Sequence, residues 1–339
     1  MNTRKIFAYG ACNLLCTFAI MCALTFIACD DGGDEDDGGG WTWTAVSDST
    51  FSISDDISAI AYGGGKFVAV GYYSNFNTYV GKMAYSSDGK TWTAVSDSKF
   101  GDTQINAIAY GGGRFVAVGN SGKIAYSPNG ETWTAVSDSK FNLWPIEDIA
   151  YGDNKFVAVG LCGDMAYSTD NGETWTAISN NTFTISEDIF AITYGGGKFV
   201  AGGWGSGGKL AYSPNGTSWT AVSDSTFTWD EWIGAIAYGD GKFVAEADDK
   251  MVYSTDGVSW TAVSDLGTTR ISAITYGNNR FVAVGCYYDD HFAAVAGGKM
   301  VYSTDGVSWT AVSNSTFGTS TIHAIAYGNG RLVAGGSDG

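Results

Sequence analysis

The sequence predicts an all-β fold, a seven-bladed β-propeller of four-stranded antiparallel blades. Three observations predict it: short phrases recur along the chain, each phrase has the composition of a strand, and tight-turn residues separate the phrases. The phrase WTAV, once WTAI, occurs seven times at intervals of 41 to 49 residues. A repeat of this length that contains several short strands is typical of a propeller.

Each repeat contains four predicted strands. The first resembles AIAYG, the second KFVAVG, the third KMAYS and the fourth TWTAV; the third occurs six times and the others seven. Val, Ile, Phe, Tyr, Trp and Thr dominate them, as in strands generally. The strands are nearly continuously apolar, which favours sheets covered on both faces, as stacked blades are.

The turn between the first and second strands has two residues in every repeat. These pairs are Gly64-Gly65, Gly112-Gly113, Asp153-Asn154, Gly196-Gly197, Asp240-Gly241, Asn278-Asn279 and Asn329-Gly330. Each pair tolerates positive φ at both positions, which a two-residue type I′ hairpin requires. The turns therefore predict seven antiparallel hairpins.

The turn between the third and fourth strands carries a second signature, such as SSDGKTW at Ser86–Trp92 and STDGVSW at Ser303–Trp309. It resembles the Asp box of sialidases and other repeat propellers, and this resemblance extends over nearly the whole chain after residue 40. It implies a propeller but no particular activity. The Asp position holds Asp88, Asn129, Asp170, Asn215, Asp256 and Asp305. Because Asn replaces Asp twice, the carboxylate is not required there as a metal ligand or catalyst, and a structural role in the turn is expected.

The chain is predicted to have three parts: a signal peptide at 1–28, an acidic Gly-rich tether at 29–40 and the propeller at 41–339. Arg4 and Lys5 precede an apolar run that ends in Phe-Ile-Ala before Cys29, which is the secretory pattern. The segment resembles a bacterial lipoprotein signal, which implies cleavage before Cys29 and lipidation of Cys29. The expected location is the bacterial cell envelope or cell surface. A transmembrane helix over 6–28 is the alternative.

The last blade is expected to close the ring with the N-terminal strand. It would combine 322–336 with 41–46, and it has no copy of the third phrase. Either that blade has three strands, or the sequence stops before its missing strand. The sequence leaves both alternatives open.

Composition excludes several classes of function. The net charge is −17, and −19 once 1–28 is removed, which repels nucleic acids and leaves only a lipid anchor for membrane contact. The two histidines, His291 and His323, make no zinc set or catalytic triad, and no calcium loop is present. We therefore expect a monomer with no metal and no cofactor.

Aromatic residues on two long loops between second and third strands are the candidate ligand-binding site. Ring closure would place these loops, at 72–81 and 286–298, one blade apart. The site comprises Tyr72, Tyr73, Phe76, Tyr79, Tyr287, Tyr288, Asp289, His291 and Phe292, with Trp229 and Trp232 on the same face. Exposed loop aromatics are typical contact residues. The alternative is that these rings pack on each other and seal the closing blade.

Enzymatic activity is a less favoured hypothesis. Acid pairs at Asp55-Asp56, Glu147-Asp148, Glu187-Asp188 and Asp230-Glu231 could serve glycoside hydrolysis, but their matching repeat positions indicate solvated loop charge. The resemblance to sialidases implies three arginines that bind the substrate carboxylate. Only Arg270 can reach the face of the ring on which the two long loops lie. The preferred function is a non-enzymatic binding module for glycan or protein. The alternatives are a glycoside hydrolase and a scaffold in an envelope protein assembly.

Overall fold

The fold was analysed in a computed structural model. The structure describes 26–30, 42–46, 50–52, 54–75, 78–179, 181–205, 210–223, 226–227, 231–248, 250–263, 269–288, 294–312, 317–318 and 320–337. Within these residues the chain is all-β, apart from two three-residue 3₁₀ turns at Asn120–Gly122 and Leu161–Gly163. No helix of the described part is long and apolar enough to cross a membrane.

Six blades are each built from one continuous stretch of chain and have four antiparallel strands in sequence order. The first three blades contain β3 Asp55–Gly63, β4 Lys66–Asn75, β5 Thr78–Ser86, β6 Thr93–Ala94; β7 Ile105–Gly111, β8 Arg114–Gly119, β9 Ile124–Ser127, β10 Thr134–Ala135; and β11 Ile146–Gly152, β12 Lys155–Gly160, β13 Met165–Ser168, β14 Thr176–Ala177. The next three contain β15 Asp188–Gly195, β16 Lys198–Trp204, β17 Leu210–Ser213, β18 Thr220–Ala221; β19 Ile233–Gly239, β20 Lys242–Ala247, β21 Lys250–Ser254, β22 Thr261–Ala262; and β23 Thr269–Gly277, β24 Arg280–Tyr288, β25 Ala294–Ser303, β26 Thr310–Ala311.

The remaining sheet, here called the closing sheet, combines strands from the two ends of the chain. It contains β1 Phe26–Asp30, β2 Thr42–Val46, β27 Ile322–Gly328 and β28 Arg331–Gly336, in the order β2-β1-β28-β27. The predicted seven-bladed fold class is therefore wrong: the structure has six blades that are each formed by one complete repeat. The seventh repeat supplies only two strands of its own, and two N-terminal strands complete its sheet, not one. The sequence left open whether this sheet has three strands or its missing strand lies beyond the given sequence; in the structure β1 occupies that place, since it pairs with both β28 and β2.

The first strand of each sheet is innermost, because these strands contact one another around a closed ring in the order β3, β7, β11, β15, β19, β23, β27. The hydrophobic core lies in the seams between neighbouring sheets. In one seam Val116 and Val118 of the second blade pack with Phe156 and Trp175 of the third. The equivalent Trp43 of the closing sheet packs against Val284 of the sixth blade. Each seam therefore repeats the same apolar contact around the ring.

The predicted hairpin turns are confirmed. Gly64 and Gly65 have φ of 56° and 78°, and the non-glycine pair Asn278-Asn279 has φ of 49° and 56°. The predicted fourth strand is shorter than expected, since only two residues pair with the third strand in each of the six blades. A short outer strand leaves little unpaired edge for another chain to join.

The turns between third and fourth strands form a repeated hydrogen-bond network. In the sixth blade Asp305 accepts the backbone N–H of Val307 at 2.8 Å and of Ser308 at 2.7 Å, and Gly306 takes φ of 71°. The Ser308 and Val307 N–H groups are the largest cause that lowers the Asp305 pKa to about 2. Asn129 accepts the corresponding bonds at 2.9 and 3.0 Å, so the acceptor oxygen, not the charge, maintains the turn.

Candidate functional site

The innermost strands begin on the face of the ring that carries the connections between second and third strands, here called the loop face. Near this end each strand has a buried isoleucine, such as Ile146 or Ile322. A register shift follows it in every sheet. The residue at that shift is half-buried and differs between sheets. We call this set the mouth ring: Ser58, Asn106, Glu147, Phe190, Gly234, Ser272 and His323.

The position before the same isoleucine also differs from sheet to sheet. It holds Asp56, Gln104, Pro145, Asp188, Trp232, Arg270 and Thr321. The positions further along the strand are nearly uniform, because they pack in the seams. One exception is Asp148, which stands where the other six strands have alanine. Chemical variety in this fold is therefore concentrated at the loop-face end of the inner strands.

One side of this region is an aromatic stack that spans three blades. The rings of Phe190 and Trp232 have centroids 4.8 Å apart, and the Arg270 guanidinium carbon lies 3.6 Å from the Trp232 ring centroid. All three side chains are half-buried. Arginine over a tryptophan face is a favourable cation–π arrangement. The stack presents a surface of aromatic and guanidinium groups at the mouth ring, of which Phe190 is a member.

The adjacent side carries carboxylates of the third and fourth blades. Asp148 accepts the backbone N–H groups of Ile149 and Ile192, both at 2.8 Å. Asp188 accepts the Cys162 N–H at 2.9 Å. Burial is the largest cause that raises the Glu147 pKa to about 7, followed by repulsion from Asp188 and then Asp148. Three carboxylates thus converge on one half of the region.

The four predicted acid pairs differ in their surroundings. Asp55 is buried, accepts the Ser52 N–H at 2.7 Å and lies 3.4 Å from the Lys82 ammonium. Glu231 lies 2.5 Å from the Lys250 ammonium. Burial raises the pKa of Asp148 to about 7 despite its two backbone hydrogen bonds. The Glu147-Asp148 pair thus combines a mouth-ring position with a raised pKa at both carboxyls.

The two long connections predicted as irregular loops are instead extended hairpins. The ladder of β4 and β5 continues to the Asn75–Thr78 pair, and β24 pairs with β25 as far as Tyr288 and Ala294. Both hairpins lie on the loop face, as expected. Main-chain pairing therefore orders these segments up to their tips.

Three of the predicted aromatic residues have neighbours in the first hairpin. The rings of Tyr72 and Tyr79 meet edge-on at 5.5 Å, and the Lys82 ammonium lies 5.9 Å from the Tyr73 ring centroid. Burial and then the Asp56 carboxylate, which shares a hydrogen bond with Tyr72, raise the pKa of that phenol. A cleft of about 380 Å³ adjoins the hairpin, lined in part by Lys82. Tyr79 is 43% exposed, so its ring is partly in solvent.

Other predicted site residues fall outside the described part of the chain. These are Phe76, Trp229, Asp289, His291 and Phe292, together with the side chains of Tyr287 and Tyr288. The binding surface over the two hairpins stays a prediction. Of the predicted tryptophans, Trp232 is described. It lies in the aromatic stack, against Arg270, which pairs with Cys286 at the base of the second hairpin.

Sequence reasoning missed the mouth ring, although the signal was in the repeat. Aligning the seven copies of the first phrase shows two columns that differ, one on each side of the invariant isoleucine, while the others barely change. Phe190 and Asp148 are such departures from an otherwise nearly uniform repeat. Among the described residues no group of three His, Cys, Asp or Glu side chains could hold a metal ion.

Fold and site together define a β-propeller of four-stranded sheets with chemically varied residues around the loop-face end of its axis. Residues 37–184, less than half of the chain, match the family model for the DUF6242 beta propeller domain. No curated protein sequence matches this chain.

Solved structures with the same fold cover most of the chain. "YCF48 bound to D1 peptide" has 16% sequence identity and a TM-score of 0.60, and the match covers 84% of this chain and 94% of that one. YCF48 from Cyanidioschyzon merolae has 14% identity and a TM-score of 0.57, with 84% and 96% covered. The WD40 beta propeller domain of Doa1 has 12% identity and a TM-score of 0.61, with 86% and 93% covered. At such low identity these matches show the fold alone.

Proposed function

We propose that this protein is a non-enzymatic binding module, and that its ligand is a protein segment held at the mouth ring. The observation that carries this proposal is the concentration of varied side chains at one end of otherwise uniform inner strands. Seam positions must repeat because every seam has the same shape. Positions released from that packing constraint can serve recognition.

The chemistry of the mouth ring suits a protein ligand. The Phe190–Trp232–Arg270 stack supplies aromatic and arginine groups, which dominate the energetics of protein interfaces. Carboxylates next to the stack supply polar contacts that can orient a ligand. A protein with this fold has been seen with a peptide bound, so the architecture is compatible with such a ligand. A glycan is the alternative ligand, because sugar rings also stack on exposed aromatic faces.

A glycoside hydrolase is the second candidate function. The observation in its favour is that the pKa values of Glu147 and Asp148 are both about 7, near the range useful for general acid and base catalysis. Against it, both Asp148 oxygens already accept backbone N–H groups. We therefore place recognition ahead of hydrolysis.

The binding proposal is tested by screening the protein against a phage-displayed random-peptide library, a glycan array and a panel of glycosidase substrates. We expect the selected peptides to bind Trp232→Ala at least about tenfold more weakly than they bind the wild type. The reason is that loss of an aromatic hot-spot contact costs about 2 kcal/mol or more. Trp144→Ala is the matched control, since Trp144 is 48% exposed in a loop-face connection outside the ring. A thermal melt of each variant separates lost binding from unfolding.

Three results would contradict the proposal. Peptides that bind Trp232→Ala and wild type equally would place the site elsewhere. Ligands found on the glycan array alone would make the module a lectin. Turnover of a glycoside that Glu147→Gln abolishes would make the protein a hydrolase.

We also propose that the turns between third and fourth strands are Asp boxes, and that the protein is exported and lipid-anchored. The Asp-box assignment is supported by the recurring hydrogen bonds among the Ser, Asp or Asn, and Gly residues of the turns. Export and lipid anchoring rest on the signal pattern before Cys29. Labelled fatty acid should be incorporated into the wild-type chain and not into Cys29→Ala. Equal labelling of both would refute the anchor.

A further inference from the structure

The closing sheet differs from the six complete blades in the origin of its third strand. All five residues of β1 pair with β28 on one side and with β2 on the other. The proposed cleavage before Cys29 would remove Phe26, Ile27 and Ala28 from this strand. The processed chain would then keep only Cys29 and Asp30 between β28 and β2, so most of the strand that joins the two ends of the ring would be lost.

The register of β1 is that of a third strand. Ile27 lies opposite Ala334 of β28. Ala84 of the first blade lies in the same way opposite Ala69 of β4, and both partners are the fourth residue of their second strand. At the next position β1 has Ala28, whereas the third strand of every complete blade has a tyrosine. These tyrosines are Tyr85, Tyr126, Tyr167, Tyr212, Tyr253 and Tyr302.

The six tyrosines belong to the seams. Each packs against the hydrophobic cluster that its blade shares with the next blade. The cluster between the closing sheet and the first blade contains Val46, Phe67 and Val333, and its described members include no tyrosine of a third strand. A third strand with alanine at this position has less apolar surface to bury than one with tyrosine. This seam therefore favours a strand other than β1.

The strands on either side of β1 are anchored independently of it. Trp43 of β2 is 5% exposed and packs in one cluster with Val284 of the sixth blade. Val46 of β2 packs in another cluster with Phe51. β28 pairs with β27 along its whole length. Loss of residues 26–28 would therefore leave two fixed strands with a gap one strand wide between them, here called the strand slot.

Backbone groups of both flanking strands face the strand slot. Alternate residues of a middle strand bond to opposite neighbours in an antiparallel sheet. In the first blade Val95 donates its N–H to the Met83 carbonyl at 2.9 Å, and Val46 is the residue of β2 that corresponds to Val95. The pairing therefore directs Val46 and Thr44 into the slot from one side and Ala334 from the other. Backbone groups in a sheet interior require partners, so the slot favours another strand.

From these observations we propose that the strand slot is an acceptor site for an extended segment of a partner protein, which takes the place of β1 and presents a tyrosine at the register position of Ala28. Backbone pairing supplies affinity and the seam position supplies selectivity, as in strand addition generally. The preferred segment has the pattern of the six third strands: a large apolar residue, Ala or Val, then Tyr and Ser. This site is distinct from the mouth ring, and the inference rests on the proposed cleavage before Cys29.

The test uses the processed product of the full-length gene, purified in detergent, and a labelled peptide with the sequence of residues 81–87, GKMAYSS. We expect this peptide to bind, and its Tyr85→Ala version to bind at least about tenfold more weakly, because an aromatic contact in the seam is lost. A third peptide carries a methyl group on the backbone nitrogen of Ala84. It should not bind, because that nitrogen corresponds to the one of Ile27 and must pair with Ala334.

Cys29→Ala in the full-length gene is the matched control, since loss of the cysteine should block this processing and keep residues 26–28. The intact mass of each protein shows whether these residues are present, and a chain that begins at Phe26 is a second control. We expect both controls to bind GKMAYSS at least about tenfold more weakly than the processed protein, because β1 already pairs with both flanking strands. Amide exchange at Thr44 and Ala334 should slow on peptide addition in the processed protein alone.

The outcomes separate the acceptor site from the mouth ring. Equal binding of the peptide by the processed protein and the controls would overturn the acceptor site, and so would binding by none of them. A wild-type product that keeps residues 26–28 would also overturn it, because its slot is filled. Equal binding of all three peptides would overturn strand pairing. Phage-selected peptides that bind Trp232→Ala more weakly than the wild type would still support the proposed function in each of these cases.

Discussion

Gly111→Ala should destabilise the protein by roughly 3 kcal/mol or more, because overpacking a rigid seam forces backbone and ring displacement. Gly111 ends the inner strand β7, and the Tyr151 ring of the next blade lies directly on it. A Cβ atom at Gly111 would stand 1.9 Å from the Tyr151 Cγ atom. Tyr151 cannot retreat freely, since its ring also contacts the Phe156 ring at 4.8 Å. Urea unfolding of both proteins measures the difference.

Gly113→Ala is the matched control two residues away. Gly113 has φ of 82° and nothing within 4 Å of an added Cβ, so that substitution adds only backbone strain of about 1–2 kcal/mol. The double variant Gly111→Ala with Tyr151→Ala should recover part of the loss relative to the sum of the single variants, because the clashing ring is gone. Equal costs at Gly111 and Gly113 would show that the glycine–tyrosine contact does not limit the seam.

Removal of β1 should have the second large effect. A chain beginning at Asp31 should unfold at a clearly lower urea concentration than one beginning at Phe26. Its free energy of unfolding should be lower by several kcal/mol. Five residues of β1 pair with β2, and the same five pair with β28, and unmade backbone bonds in a sheet cost about 1 kcal/mol each. The backbone amides of Leu332 and Ala334, which face β1 in the alternating ladder, should exchange faster in the shorter chain.

A chain beginning at Cys29 tests the link between ring closure and the predicted signal cleavage. Cleavage there would leave two of the five residues of β1, since the strand spans the predicted cleavage point. We expect this chain to resemble the one that begins at Asp31. Identical unfolding and amide exchange for all three chains would mean that β1 contributes nothing to the closing sheet.

Much of the fold could be predicted from local patterns, because those patterns repeat. Pairs such as Gly64-Gly65 and Asn278-Asn279 predict hairpins through their tolerance of positive φ, and the structure confirms them. The fourth strands were overestimated. Their composition is that of a strand, but at the outer rim only two residues per blade find a partner.

The candidate site was predicted less well than the fold. Tyr72 and Tyr73 were identified from the length of their connection, yet the structure extends the ladder through them and gives them local partners. Phe190 and Asp188 carry no motif. They become a site because inner strands of consecutive blades lie side by side, which brings residues some 40 positions apart into contact.

The amino-acid sequence by itself determined the repeat, its strands and its hairpins, since each depends on residues close together in the chain. Tertiary structure alone decided the place of β1 in the closing sheet and which residues of the mouth ring meet one another. Phe26–Asp30 has the composition of a signal-peptide end, and only ring closure pairs it with β28 and β2. In the same way, only the closed ring brings Glu147 beside Asp188 and Phe190 beside Trp232, because side-chain proximity across blades depends on ring geometry and not on sequence distance.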